Sequence, residues 1–287
     1  MIIFWIIVLI VILILLLDRG IEKMYSYKIR AHRDTPAKYE IDFEEIQIPS
    51  ADGGSLYGWW IPAEPSAPTL ILIHGWSRNV QRMMPYIREL HPQGYNLLVF
   101  DARSHGSSTA TPRPTVGTFT EDILCAVNYL QASEKLSSSK IGLIGLSIGG
   151  GASIASAGHD ETISSVITVG AMSSPTMVMS RQFEERNIPK FIGSFLFFYM
   201  RMRYGIDFNE IAPVNLIPNA KADIFLIHGE NDETICLQQA EELLAARPDK
   251  TELWIVPKRG HSDCHFHEEF WERVKAFLDE SFDISEL

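Results

Sequence analysis

The chain is expected to fold as an α/β protein: a mostly parallel central sheet with helices on both faces, preceded by one N-terminal transmembrane helix. Three observations lead there. From residue 40 onward, short apolar runs alternate with stretches of helical period, the pattern of βα units. Ahead of them, Ile2 to Leu17 is an unbroken apolar run. Finally, Gly145-Leu146-Ser147-Ile148-Gly149 stands where a strand-like run gives way to a helix rich in Gly and Ala.

Taken as a helix, the first apolar run is about 24 Å long, a little short of the ~30 Å hydrocarbon core of a bilayer. Insertion of such residues is favoured by several kcal/mol in total, and snorkelling by Arg19 with local thinning closes the gap. A cleaved signal peptide would need a basic region before the run and small residues after it; instead nothing basic precedes Ile2, and Asp18-Arg19-Gly20-Ile21 follows. Residues 1–20 are therefore expected to be an uncleaved anchor, and 21–39 a polar tether. Arg19, Lys23, Lys28, Arg30 and Arg33 all follow the helix, so the domain after it is expected on the cytoplasmic side of the membrane.

The domain, residues 40–287, opens on an antiparallel hairpin: Phe43 to Pro49 and Ser55 to Ile61 flank Ala51-Asp52-Gly53-Gly54. Thr69 to Ile73 and Tyr95 to Phe100 read as buried strands. Thr118-Phe119-Thr120-Glu121 reads as a capping box that starts a helix with Ile123, Val127 and Leu130 on one face. Strands at Lys140 to Leu146, Ser165 to Val169, Asp223 to Ile227 and Leu253 to Val256 follow, interleaved with helices at Ile148 to Ala157, near Leu237 to Ala246, and through Phe270, Val274 and Phe277. Ser173 to Ala220 interrupts the alternation and is too long for an ordinary connection. Its apolar stretch Phe191 to Met200 suits a helical lid, a helix packed on the domain edge, or a contact with the membrane surface. As a lid it would bring Phe191, Phe195 and Phe198 to a substrate pocket that Trp76 also lines.

Length and charge bound the function. At 287 residues the chain can bury a full core without staples. A net charge of −11 argues against a nucleic-acid groove. Three widely spaced cysteines, Cys125, Cys236 and Cys264, do not make a disulfide framework and read as free thiols.

The Gly-x-Ser-x-Gly sequence carries the chemistry. Between strand and helix, a strained turn pushes the Ser147 hydroxyl into the site, and the Ile148 N–H at the helix start can meet an oxyanion. A serine needs a base to take its proton. His261 lies in the loop after the last strand, which opens on the same sheet edge as the elbow. Asp232, within His228-Gly229-Glu230-Asn231-Asp232, follows the strand ending at Ile227 and can orient the imidazole; Glu230 and Glu233 compete for that role. The alternatives are bland: Ser147 as a helix N-cap, Asp232 as a solvated turn carboxylate, His74 and His228 as loop braces, and Asp101 with Arg103 as a loop pair. Cys264, His265 and His267 match no closed metal-ligand pattern, so no metal and no cofactor is expected.

Residues 40 to 280 resemble the α/β-hydrolase superfamily, nearest its bacterial esterase/lipase-like and dienelactone-hydrolase-like branches. The matching residues are His74-Gly75-Trp76, Asp101 to Ser107, the elbow, His228 to Asp232, and Gly260-His261. The resemblance implies that Trp76 donates the second oxyanion N–H. One departure is Ser104, where relatives commonly carry Gly. The resemblance implies a serine hydrolase working through an acyl-enzyme on Ser147 but names no substrate; the apolar lid and the anchor point to a small, lipophilic carboxylic ester or thioester. A peptidase or amidase, an acyltransferase, or a non-catalytic binding scaffold are the rivals, since this fold hosts many activities.

Overall fold

A computed structural model describes residues 1–64, 66–133, 135 and 140–283; residues 284–287 of the expected domain lie outside the described residues. The strands are β1 (Glu44–Pro49), β2 (Ser55–Ile61), β3 (Thr69–Ile73), β4 (Asn96–Phe100), β5 (Ile141–Leu146), β6 (Ile163–Val169), β7 (Asp223–Gly229) and β8 (Thr251–Val256). They form one eight-stranded sheet in the order β1-β2-β4-β3-β5-β6-β7-β8. β1 and β2 pair antiparallel, as do β2 and β4, and every later pair is parallel.

The helices are α1 (Ile2–Met24), α2 (Met84–Leu90), α3 (Val116–Ala132), α4 (Ile148–Ala157), α5 (Pro175–Glu185), α6 (Lys190–Tyr204), α7 (Pro213–Leu216), α8 (Leu237–Ala246) and α9 (Phe270–Ser281). Alternation along the strands divides the core. Ile71 and Ile73 join the face covered by α3, α4 and α8, whereas Leu70 and Leu72 join the face covered by α2 and α9. Helix α3 starts one turn earlier than the sequence suggested. Its N-cap is Thr115, whose hydroxyl accepts from the Thr118 N–H while Thr118 Oγ1 accepts from the Thr115 N–H. A second hydroxyl at the third helical position does the work expected of an acidic residue.

The pairing expected of Asp101 with Arg103 does not occur. Arg103 turns to α3: its Nε donates to Asp122 Oδ1 at 2.5 Å, its backbone N–H to Asp122 Oδ2 at 2.7 Å, and its Nη2 to Glu121 at 2.5 Å. The Asp122 side chain is fully buried, and burial pushes its carboxyl up to about 6 despite the guanidinium beside it. Replacing Arg103 with methionine strands that carboxylate, so Arg103→Met is expected to cost about 3–5 kcal/mol in urea unfolding.

Helix α1 exceeds the expected anchor. It runs to Met24, about 34 Å. Its most apolar 18-residue window has a mean hydropathy of 2.9 and none of it is buried, so α1 is long and apolar enough to cross a membrane. Its C-terminal end is held by the domain. Ile21 is buried with Met200 and Phe208, and Asp18 Oδ1 accepts from the hydroxyls of Tyr199 and Tyr204 in α6 at 2.6 and 2.5 Å.

The segment expected to be a polar tether lies as a strap on the domain. Tyr27 donates to the Ser104 carbonyl at 2.5 Å, Asn79 donates to the Arg30 carbonyl, the Arg33 N–H donates to Gln81, and His32 Nε2 lies 2.7 Å from Asp101 Oδ2. Aromatic rings at 25, 27 and 32 supply the adhesion that a polar composition concealed: Tyr25 and Tyr27 pack on Trp76, and His32 stacks on Tyr57. The Asp101 hydrogen bond raises the His32 pKa, outweighing burial. A folded value above the unfolded one near 6.5 means that this clasp contributes fully below about pH 6.5 and is lost as the pH rises through the folded value. The difference in Tm between wild type and His32→Gln is therefore expected to shrink as the pH is raised from about 6 to about 9.

Candidate active site

The backbone at Ser147 is strained, with φ 56° and ψ −120°, a conformation that non-glycine residues rarely adopt. The flanking glycines make it possible. A Cβ on Gly145 would lie 2.3 Å from the Gly149 carbonyl oxygen, and one on Gly149 would lie 2.5 Å from the His74 carbonyl oxygen. Only bare backbone fits where β5 turns into α4. The Ser147 N–H donates to Val169 O at 2.9 Å, which ties the turn to β6.

Parallel pairing brings the C-terminal ends of β5, β6, β7 and β8 to one edge, and three residues distant in sequence meet there. Ser147 Oγ lies 3.0 Å from His261 Nε2, and His261 Nδ1 lies 2.7 Å from Asp232 Oδ2. Asp232 has its other oxygen occupied: Oδ1 accepts from the Thr234 and Ile235 N–H groups, both at 2.9 Å. Burial opposes its ionisation, but the His261 hydrogen bond, the Ile235 amide and the charges of His261 and His228 outweigh it, holding the carboxyl below its ordinary value. Of the competing carboxylates, Glu230 accepts from the Lys258 N–H instead. In this arrangement Asp232 selects the His261 tautomer with hydrogen on Nδ1, leaving Nε2 free to accept the Ser147 proton.

His74 and His228 act as braces. His74 Nε2 accepts from the Ala102 N–H and Nδ1 sits 2.8 Å from the Gly75 carbonyl, while His228 Nε2 is 2.9 Å from the Ile235 carbonyl. Burial lowers the pKa of both. Gly75 rests against the elbow, 3.3 Å from Ser147 Cβ at its own Cβ position, which sets Trp76 beside Ser147. Ile148 opens α4 on the other side. Ser104, the departure from the resemblance, takes a left-handed φ of 66° and stabilises it locally: its hydroxyl donates to Thr111 O and accepts from the Thr111 N–H, both at 2.8 Å. All three cysteines are free thiols. No group of three or more His, Cys, Asp or Glu side chains among the described residues is arranged to hold a metal ion.

A cavity of about 810 Å³ opens beside Ser147, with Trp76 and Ile148 in its wall. Phe191, Phe195 and Phe198 do not line it. They share the outward stripe of α6, 73%, 51% and 62% exposed, because the inward stripe is taken by contacts of Met200 and its neighbours with Ile21 and Phe208. Helix α5 covers the cavity in their place, through Pro175, Val178 and Met179, joined by Met24 and Tyr25 from the end of α1.

Sequence reasoning missed other residues here. Gly170 follows β6 with φ 64°, and a Cβ there would press within 3.0 Å of His261 Nδ1 and 3.2 Å of Asp232 Oδ2. A glycine directly after a β-branched strand, at the edge that carries the site, was the available signal. Tyr25 and Tyr27 carried none, since their role depends on where the strap lies.

Residues 68–199 match the sequence model of the alpha/beta hydrolase fold. The YfhR protein of Salmonella typhi is 27% identical over 267 residues, 91% of this chain and 87% of that protein. Thiohydrolase aneE of Aspergillus aculeatus is 29% identical over 133 residues, 45% of this chain and 42% of its own length. Among solved structures, the Pyrococcus furiosus esterase Pf2001 superposes with a TM-score of 0.72 at 27% identity, over 88% of this chain and 98% of the esterase. With this sheet order, this elbow and these relatives, the chain has the α/β-hydrolase fold and resembles that family in sequence over residues 68–199.

Proposed function

We propose that the protein is a serine hydrolase cleaving a carboxylic ester or thioester through an acyl-enzyme on Ser147. The single observation that supports this most is the continuous hydrogen-bonded chain from Ser147 Oγ through His261 to Asp232 Oδ2. In the proposed reaction Ser147 attacks the acyl carbonyl as His261 takes its proton, and the oxyanion rests between the Trp76 and Ile148 amides. His261 then protonates the leaving group and activates the water that releases the acid. The cavity beside Ser147, walled by Met172, Val178 and Met179, suits a lipophilic acyl chain. In this reading α1 anchors the enzyme with its basic flank and domain in the cytoplasm, and the outward aromatic stripe of α6, clamped to α1 through Asp18, meets the headgroup region. A fluorophosphonate probe is expected to label the full-length protein in non-ionic detergent at Ser147, with turnover of p-nitrophenyl esters or acyl thioesters. Absence of both labelling and turnover across the panel would favour a binding scaffold.

A further inference from the structure

The chain carries a net charge of −11, yet five cations line one groove of about 700 Å³: Lys28, Arg30 and Arg33 from the strap, and Arg78 and Arg82 from the segment after β3. Among the described residues none of the five forms an ion pair with a carboxylate. Like charges face each other instead: burial first, then the charges of Arg30 and Arg82, pull the Arg78 pKa below its ordinary value. Such a collection costs electrostatic energy unless an anion joins it.

The groove is continuous with the active site. Arg78 and Arg82 also line the cleft that holds Ser147 and His261, and Arg82 Nη2 donates to the carbonyl of Ser262, next to His261, at 2.9 Å. The two sides of Ser147 differ in kind. His261 belongs to this basic cleft, whereas the larger cavity under α5 holds Ser147 without His261. A leaving group must lie within reach of the imidazole that protonates it, which assigns the cavity under α5 to the acyl chain and the basic side to the leaving group.

We propose that Lys28, Arg30, Arg33, Arg78 and Arg82 bind phosphate carried by the leaving group, so that the substrate is an acyl ester or thioester of a phosphorylated alcohol or thiol. This rests on the acyl-enzyme reading above. In the first half-reaction the Ser147 Oγ–acyl bond forms and the acyl–oxygen or acyl–sulfur bond breaks. The proton that His261 took from Ser147 passes to the departing oxygen or sulfur, which leaves with its phosphate in the groove. In the second, water adds to the acyl carbon, and its proton returns through His261 to Ser147 as the carboxylic acid departs.

Two matched pairs test this on the full-length protein in non-ionic detergent. S-palmitoyl-phosphopantetheine against S-palmitoyl-pantetheine compares one thioester with and without phosphate. Oleoyl lysophosphatidic acid against monooleoylglycerol does the same for an ester and separates a thiol carrier from a glycerophosphate. In at least one pair the phosphorylated member is expected to have a kcat/KM about 10–100-fold higher, the range of hydrogen bonds to charged groups. That ratio should fall between about 50 and about 500 mM salt as screening grows, and the Arg30→Gln/Arg78→Gln variant should bring it toward one. Equal rates within both pairs, or a ratio indifferent to salt and to the variant, overturn the groove while leaving the hydrolase standing. So does retention by these cations of phosphatidylserine vesicles with no effect on substrate preference. Absence of turnover on all four substrates together with absence of fluorophosphonate labelling removes both readings.

Discussion

Replacing Ser147 with alanine is expected to lower kcat/KM by about 10⁴–10⁶-fold, the largest effect of any single substitution in this chain. In the proposed acyl-enzyme mechanism the loss falls in kcat, because there the hydroxyl contributes nothing to holding the acyl chain and everything to forming the covalent intermediate. Residual turnover, about 10³-fold over water, should survive from the oxyanion amides and substrate positioning. The same variant relieves no packing and removes no hydrogen bond other than that to His261. Its Tm should therefore stay close to wild type or rise, since the strained φ of 56° is no harder for alanine than for serine. Steady-state kinetics beside thermal unfolding read both quantities. A variant that retained most of the wild-type kcat would sink the acyl-enzyme reading.

Asp232→Asn is expected to cost about 10⁴-fold in kcat while leaving the fold intact. The reason lies in the division of labour between its two oxygens. Oδ1 accepts from the Thr234 and Ile235 amides, and an asparagine keeps that acceptor and the turn it closes. Oδ2 faces His261 Nδ1 at 2.7 Å, and there the amide NH₂ becomes a donor. The imidazole must answer by moving its proton to Nε2, the atom that has to accept from Ser147. The effect is a wrong tautomer rather than a lost contact, so circular dichroism and denaturant midpoint should change little while kcat collapses. Asp232→Ala, by contrast, frees two amides of their acceptor, the buried one of Ile235 among them, and should lose stability as well, about 1–3 kcal/mol. Comparable kcat in Asp232→Asn and wild type would mean that another group orients His261.

The three residues of the candidate site were legible in the sequence for reasons of backbone geometry. Ser147 announces itself because a sharp strand-to-helix turn demands glycine at 145 and 149, and that demand is local. His261 and Asp232 are legible because parallel strands deliver their C-terminal ends to one edge, so the loops after β7 and β8 had to meet the elbow. The pairing of Arg103 was misassigned to Asp101 because nearness in sequence is a poor guide inside a loop. Asp101 is taken up by Val80 N–H at 2.7 Å, by Ser107 N–H and by His32, and Arg103 reaches across to α3.

Two further outcomes share one cause. The stretch Phe191 to Met200 was apolar enough for a lid over the pocket, but a helix has two stripes, and composition does not say which one turns inward. Here the end of α1 decides: Ile21 and Asp18 occupy the inner side of α6, and Phe191, Phe195 and Phe198 are left outside. Likewise, residues 21–39 read as a polar tether because their aromatic and histidine side chains are scattered among polar and charged ones. Only the surface beneath them, Trp76, Tyr57 and Asp101, turns the linker into a strap.

Period, glycine placement and apolar run length therefore determined the sheet, the elbow and a helix fit to cross a membrane, since each follows from constraints acting within a few residues. Tertiary structure alone decided what walls the cavity, where the strap lies, and that cations from positions 28 to 33 and 78 to 82 share one groove. Those outcomes depend on which surfaces are left uncovered once the sheet has formed, and no local period carries that information.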